Sequence, residues 1–73
     1  MAETKVTADI AGRVCAVSAQ AGSQIGSGDD IVLIEAMKME IPVPSPSDGT
    51  IVSILVSVDD MVAEGQVVAI ITS

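Results

Sequence analysis

The chain has 73 residues, which allows one small domain with a thin hydrophobic core. Its formal net charge is −7, with only Lys5, Arg13 and Lys38 as cations. This excludes the basic surface of a nucleic-acid-binding protein and any attraction to an anionic membrane. The chain has no histidine and a single cysteine, Cys15, so an internal disulfide, a cysteine metal cluster and histidine-based catalysis are excluded as well.

β-Branched residues dominate the apolar composition, with eleven valines and nine isoleucines and no phenylalanine, tyrosine or tryptophan. Such side chains suit a pleated, half-buried surface and lose rotamer freedom in helices, so the composition predicts an all-β domain. The segment 1–7 lacks the layout of a signal peptide, and no apolar run approaches ~20 residues. We therefore expect a cytoplasmic protein in which residues 1–7 lead into the first strand. Cys15 is expected to be a small buried side chain.

An internal repeat organises most of the chain. A shift of 37 residues aligns segment 12–34 with segment 49–71 without a gap, and it pairs Gly28 with Gly65. Each copy is too small to bury an apolar face alone. The repeat therefore predicts two small antiparallel sheets that pack face to face about an approximate two-fold axis, as a flattened barrel-sandwich.

Each copy is predicted to contain two or three short strands. In the second copy, residues 54–58 alternate in the manner of a half-buried strand. The polar stretch "DDMVAEGQ" then forms a turn anchored by Val62, and "VVAII" follows as a buried strand. The corresponding turn of the first copy is "AGSQIGSGDD", anchored by Ile25.

The stretch "IEAMKMEIPVP" connects the two copies, and it predicts a hairpin that turns at Met37–Lys38. Two-residue hairpin turns usually contain asparagine, aspartate or glycine, because their central residues need positive φ. Met-Lys breaks that rule. A non-glycine residue held in such a conformation costs about 1–3 kcal/mol and tends to mark a functional site.

Two plainer interpretations compete with this hairpin. Helix propensity alone would make "IEAMKME" a helical turn, but helices shorter than ~12–15 residues are marginal, and Pro42 and Pro44 close the segment off. Alternatively, Met37 and Met39 fill the core and Lys38 is an ordinary surface charge. Spacing alone favours this second interpretation.

The motif "EAMKM", from Glu35 to Met39, resembles the attachment motif of biotin carboxyl carrier domains in the biotinyl/lipoyl-attachment family. The resemblance extends over nearly the whole chain, and it identifies residues 1–73 as a single attachment domain. It implies that a biotin protein ligase joins biotin to Lys38 through an amide. It also implies that the ligase recognises Glu35, Ala36, Met37 and Met39, and that the chain has no catalytic and no metal-binding residue.

The resemblance further implies a carrier rather than an enzyme. In the family, the attached biotin is a swinging arm that takes CO2 from a biotin carboxylase to a carboxyltransferase or a decarboxylase subunit. A lysine amine suits the attachment, because it can lose a proton and attack an activated biotin, whereas arginine stays protonated.

Some features depart from the family pattern, and other functions compete. Asp59–Asp60 stands where the family often has glycine then aspartate, and Gly22 holds the matching position in the first copy. Aspartate tolerates the left-handed region, so we expect the turn to survive. The gapless repeat leaves no room for a protruding thumb, which indicates the thumbless type.

Two other functions compete with the biotin carrier. They are a lipoyl carrier domain of a 2-oxo acid dehydrogenase complex and an unmodified interaction module. Met37 and Met39 favour biotin over both.

Overall fold

The computed structural model describes residues 2–73, and Met1 lies outside the described part of the chain. The described residues form eight β-strands and no helix, which confirms the all-β prediction. The strands are β1 (Glu3–Thr7), β2 (Gly12–Val17), β3 (Gln24–Ile25), β4 (Asp30–Ala36), β5 (Met39–Pro44), β6 (Gly49–Ile54), β7 (Met61–Val62) and β8 (Val67–Thr72).

The strands form two antiparallel sheets of four strands each, in the orders β1-β8-β6-β3 and β5-β4-β2-β7. Each sheet has one long outer strand, β1 or β5, and one very short outer strand, β3 or β7. Pro42 and Pro44 lie in β5, where an edge position tolerates residues that cannot donate a backbone hydrogen bond. Lys5 lies on the equivalent edge strand β1, and a charge there discourages pairing with another chain.

The 37-residue repeat is confirmed in the backbone, because it relates β1–β4 to β5–β8 strand by strand. Cross-strand registers repeat as well, with Val14 opposite Ile34 in one sheet and Ile51 opposite Ile71 in the other. The turn glycines Gly28 and Gly65 have φ values of 87° and 85°. They therefore occupy equivalent left-handed positions, which glycine adopts without steric cost.

The hydrophobic core lies between the two sheets and is built from residues paired by the repeat. Its largest fully buried side chains each contribute roughly 1.5–3 kcal/mol by leaving water. They are Val14 with Ile51, Ile31 with Val68, Ile34 with Ile71, and Val32.

The two predicted antiparallel sheets are confirmed, but the two copies do not form one sheet each. Each sheet takes two strands from the first copy and two from the second, so the copies are interleaved. Backbone hydrogen bonds join them: Val14 N donates to Asp60 O at 2.8 Å, and Ile51 N donates to Ser23 O at 2.8 Å. Exchanging strands lets each copy satisfy its backbone groups and bury its apolar face against the other.

Two predicted boundaries were wrong. Segment 1–7 does not merely lead into the first strand, because Glu3–Thr7 is itself strand β1, paired with β8 through the buried Val6. The strand predicted over residues 54–58 ends at Ile54, since the chain then leaves the sheet toward a turn with positive φ at Asp59. Val56 and Val58 hold the same phase of the sequence pattern, yet Val56 is buried and Val58 is 52% exposed, as expected of a connection and not of a strand.

Candidate functional site: the hairpin tip at Lys38

The hairpin between β4 and β5 turns at Met37 and Lys38, as predicted. Ala36 and Met39 are the last paired residues, so the turn has only two residues. Met37 has a φ of 50° and Lys38 a φ of 64°, the pair of left-handed conformations that defines a type I′ turn. Each costs about 1–2 kcal/mol for a residue with a Cβ, so the fold holds this turn against local preference.

The side chains of the turn face solvent. Met37 is 82% exposed and Met39 is 61% exposed, so the interpretation that these methionines fill the core is wrong. Lys38 is exposed as well. Within residues 2–73, no ion pair or side-chain hydrogen bond occupies the Lys38 amine. A primary amine at an accessible tip is what attachment of a cofactor through an amide requires, so the residues present fit a covalently bound group.

Glu35, three residues before Lys38, belongs to a charged cluster at the base of the hairpin. Arg13 on β2 lies opposite Glu35 on β4, and its Nη2 donates to Glu35 Oε1 at 2.9 Å. Its Nη1 donates to Asp59 Oδ1 at 2.6 Å. The hydrogen bond to Glu35, followed by that to Asp59, raises the pKa of Arg13 above its ordinary value. We call Arg13, Glu35 and Asp59 the basal triad.

The backbone places Asp59 beside β2. Its N–H donates to Val14 O at 2.7 Å, and the following residue accepts a hydrogen bond from Val14 N. Asp59 has a φ of 79°, in the left-handed region expected for it. The turn is also held by a side chain, because Ser57 N donates to Asp60 Oδ2 at 2.8 Å. The basal triad thus links the lysine hairpin to a turn of the second copy.

The structure brings all five sequence-predicted site residues to one end of the molecule. Glu35 and Ala36 end β4, Met37 and Lys38 form the turn, and Met39 begins β5. Recognition of Glu35, Ala36, Met37 and Met39 by a ligase remains a prediction. Cys15 is half-buried rather than buried, with its Sγ 3.5 Å from Leu33 O.

The sequence does not indicate that Arg13 and Asp59 are neighbours of the motif. Along the chain Arg13 is one of three cations and Asp59 is a turn residue, and both lie more than 20 positions from Glu35. The information that would have found the first contact is the pairing of β2 with β4, which places Arg13 opposite Glu35. The second contact depends on how the two copies interleave.

Two features of residues 2–73 bear on other functions. No group of three or more histidine, cysteine, aspartate or glutamate side chains among residues 2–73 is arranged to hold a metal ion. Over the same range, the structure contains no helix with the length and hydrophobicity needed to cross a membrane.

Comparisons with known proteins agree with this site. The family model described as "Biotin-requiring enzyme" matches residues 4–71. The chain is 44% identical over 67 residues to a biotinylated protein TB7.3 homolog of Mycobacterium leprae, covering 92% of this chain and 94% of that protein. It is also 40% identical over 60 residues to the dihydrolipoyllysine-residue acetyltransferase component of the pyruvate dehydrogenase complex of Mycoplasma genitalium, covering 82% of this chain and 16% of that protein.

The fold has solved counterparts as well. The structure of urea carboxylase from Kluyveromyces lactis matches with a TM-score of 0.93 and 32% sequence identity. The match covers 99% of this chain but only 6% of that protein, so the likeness is to one small domain of a much larger polypeptide. Since the family model spans nearly the whole chain, this protein belongs to the biotin/lipoyl-attachment family of biotin-requiring enzymes.

Proposed function

We propose that this protein is a biotin carboxyl carrier, a single attachment domain to which biotin is joined at the Lys38 amine. The observation that carries the proposal is the strained, exposed turn in which Lys38 stands between two exposed methionines. Asn-Gly would form the same turn at lower cost. Lys38 is therefore not explained by stability, and the reactivity of its primary amine supports a role in attachment.

The Lys38 amine is the substrate of a biotin protein ligase in this proposal. Its neutral form attacks the acyl carbon of biotinyl adenylate. A C–N amide bond forms, the acyl–phosphate C–O bond breaks, AMP leaves, and the proton lost from nitrogen passes to a base of the ligase or to water. Glu35, Ala36, Met37 and Met39 surround the amine and form the surface that the ligase reads, with the flexible methionine side chains adapting to it.

When bound, biotin supplies the carboxyl-carrying chemistry, taking up CO2 at a biotin carboxylase and delivering it at a carboxyltransferase or decarboxylase subunit. The chain itself contributes presentation rather than catalysis. Its long axis measures 36 Å against 18 and 17 Å for the other two. A lysine at one end of such a narrow scaffold can enter a partner's site while the sheets remain outside, and tethering keeps the local concentration high.

The test is co-expression with a biotin protein ligase, followed by avidin capture and intact mass measurement. Lys38→Arg should abolish capture, because arginine stays protonated and cannot attack the adenylate. Lys5→Arg is the matched control, since Lys5 is the only other lysine and should be dispensable. Addition of a single biotinyl group to the wild type and to the control supports the proposal.

Other results would contradict it. Lipoyl in place of biotin on the wild type would assign the protein to the lipoyl carriers of 2-oxo acid dehydrogenase complexes. Absence of both groups, or capture of Lys38→Arg, would overturn the attachment site.

A further inference from the structure

The basal triad exists at only one end of the molecule. The 37-residue repeat maps Arg13, Glu35 and Asp59 onto Thr50, Thr72 and Gly22. The backbone pairing is the same at both ends, with Arg13 opposite Glu35 in one sheet and Thr50 opposite Thr72 in the other. Since the uncharged set supports the same strand registers, the fold does not need the triad. Its presence at the lysine end calls for a different explanation.

The charges of the hairpin provide that explanation. Glu35 and Glu40 lie directly opposite each other on β4 and β5, as the second residue pair counted from the turn. Like charges in this arrangement push the strands apart. At the other end the equivalent pair is Thr72 with Glu3, which has a single charge. The repulsion is therefore specific to the hairpin that carries Lys38.

Arg13 offsets this repulsion and anchors the hairpin. Its guanidinium holds Glu35 from the neighbouring strand and Asp59 from the second copy, at 2.9 and 2.6 Å. Beyond Glu35 only the Ala36–Met39 pair closes the hairpin before the strained turn. Without Arg13, these last pairs should open more often, and Met37–Met39 should sample several orientations.

We propose that Arg13 is a positioning residue for the modification of Lys38, holding Glu35 and the hairpin base so that the ligase meets the tip in one conformation. This inference rests on the proposed function. Arg13 does not touch the reacting amine, so its loss should weaken productive encounter rather than the chemical step. The expected signature is a raised KM for the carrier with little change in kcat.

The test is a titration of purified carrier against a biotin protein ligase. Arg13→Thr installs the residue found at the equivalent position 50, so the fold should be retained. We expect kcat/KM to fall roughly five- to tenfold, mostly through KM. Arg13→Lys should recover part of the loss, because it restores the charge but not the two-pronged geometry. Thr50→Ala is the matched control at the other end and should leave kcat/KM unchanged.

A second measurement separates positioning from general destabilisation. Amide hydrogen exchange of residues 37–40 should accelerate in Arg13→Thr but not in Thr50→Ala, while exchange in β6 and β8 stays as in the wild type. Unchanged kcat/KM in a folded Arg13→Thr would overturn the inference and leave the proposed function standing. A lowered KM would also overturn it, because Arg13 would then be shielding Glu35. Failure of the wild type to accept biotin would overturn both.

Discussion

The two ends of the molecule share the same strand pairing, but a turn connects the paired strands at only one of them. At one end β4 and β5 are joined by the strained turn at Met37–Lys38. At the other, β8 and β1 pair in the same way, and Ser73 N donates to Ala2 O at 3.2 Å without a connecting turn. The repeat thus supplies two equivalent hairpin positions, and only one holds a left-handed turn of non-glycine residues.

Side chains follow the same division. The lysine end carries the basal triad and exposed methionines, whereas the opposite end has threonines and a glycine at the matching positions. The core residues, by contrast, repeat with little change, since most of the pairs have valine or isoleucine at both positions. Stability is therefore distributed symmetrically over the fold, and the features that suit modification are confined to one end.

The largest expected effects come from two glycines that the repeat makes equivalent. A Cβ on Gly12 would lie 2.5 Å from the carbonyl oxygen of Glu35, and one on Gly49 would overlap the carbonyl oxygen of Thr72. Gly12→Ala and Gly49→Ala should each lower the free energy of unfolding by about 2–4 kcal/mol, because a backbone segment must shift. Chemical denaturation measures this.

Only Gly12→Ala moves the strand that leads to Lys38, so it alone should also slow biotinylation of the folded protein. Equal modification rates in the two variants would contradict the conclusion that only one end of the molecule affects modification of Lys38.

A second pair of substitutions exchanges the left-handed turn residues. Gly22 has a φ of 90° and no side chain, so Gly22→Asp should destabilise by about 1 kcal/mol. Asp59→Gly relieves the same strain, and on sequence grounds it should be neutral or stabilising. The structure adds an opposing effect, the loss of the Arg13 contact, so the expected gain is reduced. Asp59→Asn retains the side chain and isolates the charge. An equal loss of stability in Asp59→Gly and Gly22→Asp would contradict the strain explanation.

Met37→Asn tests whether the turn trades stability for modification. Asparagine suits the first position of a type I′ turn, so the free energy of unfolding should rise by about 0.5–1 kcal/mol. Biotinylation should nevertheless slow, because an exposed methionine next to Lys38 is lost. Thermal unfolding and ligase kinetics on the same samples provide both values. Faster modification of the asparagine variant would show that the ligase reads the turn shape and not this side chain.

The smallest expected effect concerns alkaline pH. Because hydrogen bonds raise the pKa of Arg13, its stabilising contribution is fully present below arginine's ordinary pKa and is lost only as pH rises through the raised value. The stability difference between wild type and Arg13→Thr should therefore stay constant from about pH 7 to about pH 10. Denaturation curves at several pH values measure it, and a difference that fades over this range would argue against the ion pairs.

Much of the site was predictable because its information is local. The five residues of "EAMKM" are consecutive, and the hairpin needs only β4 and β5 to pair across a two-residue turn. The positive φ at Lys38 followed from turn length alone. Boundaries failed where tertiary contacts decide whether a segment is a strand, as at β1, whose pairing partner β8 lies at the far end of the chain.

By itself, the sequence determined the all-β class, the repeat, the core residues that recur every 37 positions, and the tip lysine. The class follows from composition, the repeat and its core residues follow from spacing along the chain, and the tip lysine follows from the "EAMKM" motif and its family resemblance. Only the tertiary structure decided how the two copies interleave and which charges meet at the hairpin base. The Arg13 contacts join residues 22 and 46 positions apart. Such pairs depend on which strands become neighbours, and two self-similar copies offer several ways to pair until their shared core selects one.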